Sequence, residues 1–335
     1  MAEGLRRDDG QAEMLFNRLA KRRRHLAKWA RRTGVEAYRL YDRDIPEVPL
    51  VLDWYGVGEE AAIAGALYTR PYEKDAHEER LWLERMRNAV SRSLGIGGER
   101  IFIKMRERQR PGGAGGAGPP QYHKLAAARF DMVVRENGYS LRVNLSDYID
   151  TGLFLDLRKL RAAVLRESSG KRVLNLFCYT GAFSVAAACG GAARVDSVDL
   201  SNAYLARARD NCALNGVAAR CAFIREDVVR FLRQAERAGA RYDMVILDPP
   251  VFSRSKKMEG VLDLRRDCAG LLDGCLAVLG KGGVLYFSAK ARGFALDDAA
   301  FGAAHPGVSL ADITEAIRDE DFAGRRMPAT YLIRV

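Results

Sequence analysis

Histidine is scarce in this chain, with four in 335 residues, and its six cysteines (Cys178, Cys189, Cys212, Cys221, Cys268, Cys275) form no C-x-x-C pair. A zinc ribbon or similar metal module therefore has no ligand set to stand on, and no metal is expected. The cysteines lie scattered through periodic apolar segments and read as reduced core residues. No stretch approaches the roughly 20 uninterrupted apolar residues of a membrane span. The opening MAEGLRRDDGQAEMLFNRLAKRRRHLAKWARR holds basic residues but no apolar run of signal length. A soluble, cytoplasmic protein with no membrane partner is expected.

Acidic charge is also short, with 43 Asp and Glu against 54 Lys and Arg, a net +11. The excess is shared, at 27 basic against 22 acidic residues up to position 150 and 27 against 21 beyond. A polyanion touching both halves fits that balance. With 48% hydrophobic and 29% charged residues, the chain can bury ordinary globular cores, which excludes a disordered or fibrous class.

Two patterns divide the chain. In 14–33, Leu15, Leu19, Leu26 and Trp29 recur at helical spacing among Arg18, Lys21, Arg22, Arg23, Arg24, Lys28, Arg31 and Arg32, which predicts an amphipathic, strongly basic helix. Segments 37–42, 48–55, 62–68 and 101–108 read as strands, with a charged helix over 73–94. DMVVREN and YSLRVNL meet at Asn137-Gly138 as a hairpin. Residues 1–150 are thus expected to form a smaller α+β accessory domain that binds RNA. Its low-complexity PGGAGGAGPP (111–120) is expected as a mobile surface loop.

From Lys171 the pattern becomes apolar strand, small-residue turn, helix, repeated: VLNLFC, RVDSVDL, CAFIRED, YDMVILD, GGVLYFSA. Buried strands alternating with helices imply parallel βαβ units, so residues 151–335 are expected to form a doubly wound, mainly parallel Rossmann-like α/β domain. The ending DFAGRRMPATYLIRV leaves room for a further strand, in a final antiparallel hairpin.

In such a sheet the ligand lies across the C-terminal strand ends. The first strand closes at NLFCYTGAF, giving Asn175, Phe177, Tyr179, Thr180 and Gly181 as cofactor candidates, with Gly181 making the turn into a helix N-terminus. The second closes at Asp199, followed by Leu200 and Ser201, and suits a carboxylate on a nucleoside ribose. The third closes at Asp227 and Val228, for an adenine amino group. The fourth closes at DPPVF. There Asp248, Pro249, Pro250 and Phe252 are the catalytic candidates, Asp248 also bordering the cofactor: two prolines stiffen the loop and Phe252 offers a face for a base. Singly each closure is weak, since an aspartate ending a strand is as often a helix N-cap; four such closures in register, three of them aspartates, are much less accidental. A nicotinamide dehydrogenase would not use this last loop.

With NRLAKRRRHLAKWARRTGVEAYRLYDRDIPE, DYIDTGLFLDLR, NLFCYTGAF, DPPVFSRSKKM, FSAKARGF and DITEAIRDEDFAGR on the page, the chain resembles the RlmKL family, in its C-terminal RlmK-type half, from about Met14 to Val335. The resemblance implies a class I S-adenosylmethionine-dependent methyltransferase with a seven-stranded sheet. It makes S-adenosylhomocysteine the product and 7-methylguanosine in 23S ribosomal RNA, or a large-subunit precursor, the target. It also implies that TGLFLDLR helps close the cofactor pocket, through Thr151, Phe154, Asp156 and Arg158. The resemblance reaches only that half, so a protein without the family's preceding methyltransferase half is expected, and PGGAGGAGPP reads as a family-atypical insertion.

Relatives with the same accessory architecture (RlmI-like) methylate cytosine C5, which requires a cysteine to add to C6. Where those relatives carry FSC this chain has Ala289, and Cys178 reads as core. Guanine N7 has a ready lone pair and needs positioning but no general base. For phosphate contacts the basic helix comes first (Arg18, Arg22, Arg23, Arg24, Lys28) and Lys256 and Lys257 second. The alternatives that stay open are a 5-methylcytosine enzyme, a catalytically silent RNA-binding or assembly protein on this scaffold, and a small-molecule methyltransferase.

Overall fold

The computed structural model describes residues 2–68, 75–106, 129–254 and 261–335; the 111–120 loop lies outside them. The chain divides into two compact units, Met1–Leu155 and Asp156–Val335. The division expected after residue 150 falls after Leu155 because the intervening segment is bonded back to the first unit. The Asn144 N–H donates to the Thr151 carbonyl at 2.9 Å, and the Thr151 and Tyr55 hydroxyls are 2.9 Å apart.

The first unit opens with α1 (Ala2–Thr33), which starts earlier than its apolar spacing announces. Leu15, Leu19, Leu26 and Trp29 of α1 share one core with Trp82 and Met86 of α2 (Ala76–Leu94). Asp75 caps α2 by accepting the His77 and Glu78 N–H groups, satisfying donors that the first helical turn leaves open. Strands β1 (Ala37–Asp42), β2 (Leu50–Tyr55), β3 (Ala62–Tyr68) and β4 (Ile101–Arg106) form a sheet in that order. The β1–β2 and β2–β3 pairs are antiparallel, and β4 returns parallel to β3 by way of α2. β2 begins at Leu50 instead of at 48, since Pro49 has no N–H for a ladder. β5 (Asp131–Glu136) and β6 (Tyr139–Asn144) make the expected hairpin. Asn137 (φ 49°) and Gly138 (φ 85°) are both left-handed at its tip, the requirement of a type I′ turn.

The second unit runs α3 (Arg158–Glu167), β7 (Arg172–Leu176), α4 (Ala182–Cys189), β8 (Arg194–Asp199), α5 (Asn202–Leu214), β9 (Cys221–Arg225), α6 (Val228–Arg237) and β10 (Tyr242–Leu247). It continues with a short hairpin, β11 (Phe252–Arg254) and β12 (Val261–Asp263), then α7 (Leu264–Val278), β13 (Leu279–Ala289), α8 (Asp298–Ala304), β14 (Ser309–Asp312) and β15 (Ala329–Arg334). Seven strands form one sheet, ordered β14-β15-β13-β10-β7-β8-β9, with β15 alone antiparallel to its neighbours. β14 and β15 supply the terminal antiparallel hairpin. The β11–β12 hairpin is an addition that its three-residue strands hid from periodicity.

The order reverses between β7 and β10, so the crevice for a ligand opens at their C-terminal ends. Beneath it the strands are fully buried: Leu174, Leu176, Val245, Leu247, Leu285 and Phe287 are all inaccessible to solvent. That core fixes the strand ends as a rigid platform.

Candidate active site at the C-terminal sheet edge

The chain leaves β7 through a strained turn. Phe177 (φ 53°) and Tyr179 (φ 52°) both hold left-handed backbone conformations that side-chain-bearing residues avoid, with Gly181 (φ 77°) completing the turn. Such conformations cost on the order of 1–3 kcal/mol each and persist where surrounding contacts over-determine them. Two contacts do so here. The Tyr179 N–H donates to Asp199 Oδ2 at 3.0 Å, and Asn211 donates to the Thr180 carbonyl at 2.9 Å. Gly181 has no substitute: a Cβ there would lie 2.6 Å from the Ala208 Cβ and 2.9 Å from its Cα, so α5 could not pack this closely under the turn.

Asp199 also accepts the Ser201 N–H through Oδ1 at 2.9 Å. The carboxylate is thus held by backbone donors on both oxygens, with Leu200 adding to them. Burial lifts its pKa above the ordinary carboxylate range, against the pull of the Ser201 and Tyr179 N–H groups. Ser201 caps α5 through its hydroxyl, which accepts the Tyr204 N–H at 3.3 Å. The Tyr204 ring stands edge-on to Tyr179, with centroids 4.4 Å apart. Leu200 turns the chain between them, its carbonyl accepting from Arg225.

Other expected residues have structural duties. Asp227 caps α6, its Oδ1 accepting the Arg230 N–H at 3.0 Å, and Val228 is the buried first residue of that helix. Asn175 is buried and donates to Ser184 at 2.8 Å; Ser184 in turn lies 2.7 Å from the Ser197 hydroxyl, a chain that locks β7, α4 and β8 together. The Arg158 guanidinium, 2% exposed, bonds Asp321 through both terminal nitrogens at 3.0 and 3.1 Å, and Asp319 at 2.9 Å. Arg158, expected beside the cofactor, thereby pins the segment around DEDF to α3. Thr151, likewise expected at the cofactor, is occupied within the first unit as described above, and Phe154 belongs to that unit.

Around the end of β10 the situation is the reverse. Asp248 follows Leu247, which pairs with Phe287 of β13; continuing that register sets Asp248 level with Ser288, and Lys290 two residues on toward the same face. Oδ1 of Asp248, Oγ of Ser288 and Oδ1 of Asp156 are buried, and none of the three makes a well-formed hydrogen bond, although the Ser288 hydroxyl is near enough to Asp248 to lower its pKa. The Lys290 ammonium stands 3.9 Å from Asp156 Oδ1. Burial raises the Asp248 pKa while the Lys290 charge pulls it down. Pro249 is buried, Pro250 half-buried, and Phe252, 56% exposed, holds its ring out to solvent. Ser288 and Lys290 went unremarked in the sequence, where FSAKARGF attracted notice for the missing cysteine; a lysine one residue past a buried strand was the signal available.

Cys178 is 5% exposed, and burial together with the Asp199 charge drives its thiol well above the usual range. It is therefore a protonated core thiol. Cys189 departs from the expectation of six core cysteines: it is exposed at the end of α4, and Cys221 is half-buried.

The cationic helix α1 divides in two. Arg18 pairs with Asp44 at 2.5 Å, Arg22 donates to the Leu40 carbonyl at 3.2 Å, and Arg23 lies 4.0 Å over the Trp54 ring. These three expected phosphate ligands face their own unit. Arg24 and Lys28 are exposed, together with Lys21, His25, Arg31 and Arg32, at spacings of three, four and seven that fall on one helical stripe. Lys256 and Lys257 lie outside the described residues.

The crevice offers strained amides and the helix α4 N-terminus on one side, a ribose-competent carboxylate in Asp199, and orphaned buried oxygens on the other. These residues fit a nucleoside-bearing cofactor. The model of the S-adenosylmethionine-dependent methyltransferase family matches residues 60–304, which sets the class. Ribosomal RNA large subunit methyltransferase K of Neisseria meningitidis serogroup B is 43% identical over 321 residues, covering 95% of this chain and 86% of the relative. Ribosomal RNA large subunit methyltransferase K/L of Pseudomonas paraeruginosa is 42% identical over 333 residues, covering 96% of this chain and 43% of the relative; the chain thus spans less than half of that longer protein. SMU.776, a candidate methyltransferase solved with S-adenosylhomocysteine, shares the fold at a TM-score of 0.72 and 23% identity, over 97% of this chain and 82% of its own. The chain belongs to the family of ribosomal RNA large subunit methyltransferase K. Among the described residues no helix is long and apolar enough to cross a membrane.

Proposed function

We propose that the protein methylates N7 of a guanine in the ribosomal RNA of the large subunit, the 23S RNA, and acts in the cytoplasm. The observation that carries this reading is the pairing of a buried, partly orphaned Asp248 with an exposed Phe252 on a proline-stiffened loop, at an edge without a reactive thiol. The relatives' names supply ribosomal RNA as the substrate class. Methylation at cytosine C5 needs a thiolate near the base. Cys178 is held protonated, Ala289 is buried and inert, and Cys221 starts β9 at the opposite edge of the sheet.

When bound, S-adenosylmethionine supplies an electrophilic sulfonium methyl. Asp199 and the backbone around Tyr179–Gly181 hold the nucleoside part, with Asp227 at the adenine end and Asp156 near the β10 edge. Phe252 stacks on the extruded base, while Pro249 and Pro250 keep the loop from yielding. With the cofactor held there, N7 would bond to the methyl carbon as the methyl–sulfur bond broke, its electron pair remaining on sulfur. The positive charge passes to the purine and no proton has to move, so positioning supplies the catalysis. The exposed stripe Arg24, Lys28, Arg31 and Arg32 meets phosphates.

The test is methylation of unmodified 23S transcript, followed by borohydride reduction and aniline cleavage, which cuts at 7-methylguanosine. One new cut at a guanosine is expected; a 5-methylcytidine product would overturn the base assignment. Replacing Arg24 and Lys28 by Ala should reduce the salt dependence of RNA binding by about 1.4 to 1.8 in log–log slope. An unchanged slope would remove α1 from the RNA path.

A further inference from the structure

Three polar oxygens at one strand edge are buried and lack a well-formed hydrogen bond, Asp248 Oδ1, Ser288 Oγ and Asp156 Oδ1, with Ser288 and Asp248 near enough to interact. A buried polar atom without a hydrogen bond is costly, so each one calls for an explanation, such as a ligand that completes it. Beside them lies a cation, Lys290, close enough to Asp248 to lower its pKa and 3.9 Å from Asp156. The strand register puts Asp248 and Ser288 level on adjacent strands. The edge that leads into the Phe252 loop therefore brings together an N–H donor, Lys290, and a carboxylate acceptor, Asp248.

That order of charges matches one base. Going round a purine from N7, guanine shows O6, an acceptor, and then N1–H, a donor. Adenine shows an amino donor and then a bare N1 acceptor, the opposite sense at both places. We propose that Lys290 and Asp248 form a donor–acceptor pair that reads the O6/N1–H edge of the target guanine, with Lys290 donating to O6 and Asp248 accepting N1–H. Adenine in the same place sets its amino group against the ammonium and its N1 lone pair against the carboxylate, and is rejected at both. Ser288 lies level with Asp248, where its hydroxyl adjusts to either group.

The pair also bears on the rate. As N7 takes up the methyl group, the ring becomes cationic and N1–H more acidic, so its hydrogen bond to the Asp248 carboxylate strengthens towards the transition state. An interaction stronger there than in the ground state accelerates the step. Lys290 opposes the ring charge through O6, so its contribution is to selection and placement and not to charge stabilisation. Lys290 is thus a specificity residue and Asp248 a catalytic one.

The inference rests on the guanine-N7 reading, and the experiment separates the two. First, the wild-type protein is used to map the methylated nucleotide in 23S transcript. Absence of 7-methylguanosine removes the proposed function itself, before Lys290 is tested. Second, a fragment carrying the mapped site is prepared with guanosine, inosine or 2-aminopurine riboside at the target. Inosine keeps O6, N1–H and N7, whereas 2-aminopurine keeps N7 but lacks both O6 and N1–H. Single-turnover methylation and cofactor-free binding competition are measured for the wild type, Lys290→Met and Lys290→Arg. The wild type is expected to treat inosine within a few-fold of guanosine and to disfavour 2-aminopurine by about 10- to 100-fold. In Lys290→Met the guanosine fragment falls while 2-aminopurine barely changes, so the ratio collapses; Lys290→Arg, which keeps a donor, restores most of it. A Lys290→Met protein that discriminates as the wild type does overturns the proposal, whatever its absolute rate. So does equal loss on all fragments in both variants with unchanged melting temperatures, which would make Lys290 a support for the fold of the loop.

Discussion

At the ends of β8 and β9, Asp199 and Asp227 accept backbone N–H groups, from Tyr179 and Ser201 in the first case and from Arg230 in the second. At the end of β10, and beside β13, Asp248, Asp156 and Ser288 keep buried oxygens without a well-formed hydrogen bond. All belong to one sheet edge and one crevice, yet one half has its polar groups tied into the fold and the other has them waiting. A carboxylate that holds two backbone amides is pre-positioned, and its remaining lone pairs can meet a ligand that stays the same in every turnover. Orphaned groups mark where the partner arrives, reacts and leaves. On that contrast the proposed function gives the β7–β8–β9 half to the cofactor and the β10–β13 half to the base.

The sharpest way to break the contrast is Asp248→Asn. A neutral amide cannot meet the growing charge of the purine, and methyl transfer should fall by about 100-fold or more. The same change should stabilise the protein by on the order of 1 kcal/mol at pH 7, because the cost of burying the carboxylate outweighs the pull of Lys290 and Ser288 on it. The Asp248 pKa is raised in the folded protein, so the native state keeps its proton at pH values where the unfolded chain has lost it. Stability present at low pH is therefore lost as pH rises from the ordinary carboxylate range through the raised value. The advantage of Asp248→Asn should accordingly shrink as pH is lowered into that range. Melting curves at several pH values, beside single-turnover rates, check both halves. A variant that is less stable and fully active would show that Asp248 belongs with the tied carboxylates.

Asp199→Ala should act on both fold and ligand. Cofactor affinity is expected to drop by about 1–3 kcal/mol, with a stability loss of about 1–2 kcal/mol, since the Tyr179 and Ser201 N–H groups lose their acceptor. Calorimetric affinity unchanged in the folded variant would place the ribose elsewhere. Phe252→Ala tests the opposite half with no such double effect. Its ring is mostly exposed, so the melting temperature should hold while productive RNA binding weakens by about 1–3 kcal/mol through lost stacking. A melting shift without an RNA effect would make the ring a packing residue of the β11–β12 hairpin.

The sheet was legible in the sequence because buried strands and their closing aspartates carry a strong local signal. Each of β7, β8, β9, β10 and β13 lies where an apolar run ended in a polar residue, and the terminal hairpin followed from the space after DEDFAGRR. What resisted reading was set by tertiary partners. Arg158 and Asp321 are 163 positions apart in sequence, so nothing in TGLFLDLR announces that the arginine is occupied. Arg18, Arg22 and Arg23 belong to the same cationic run as Arg24 and Lys28, and only the positions of Asp44, Leu40 and Trp54 decide which cations turn inward. Lys290 escaped notice because a lysine after a strand is commonly solvated, and its burial beside Asp156 depends on a residue from another element.

The smallest expected effect bears on the most ambiguous member of the edge. Asp227 satisfies the grammar of a cofactor contact and of a helix cap at once, and the structure shows its Oδ1 spent on the Arg230 N–H at the start of α6. Asp227→Ala should cost about 1 kcal/mol of stability, the ordinary price of a lost N-cap. Asp227→Ser supplies a hydroxyl acceptor at the same place and should recover most of that stability without a carboxylate. Cofactor affinity then separates the two duties. If the carboxylate accepts from an adenine amino group, both variants lose affinity alike although only one loses stability. If Asp227→Ser binds as the wild type does, Asp227 is a cap and nothing more, and the tied half of the edge holds the cofactor through Asp199 and the turn after β7.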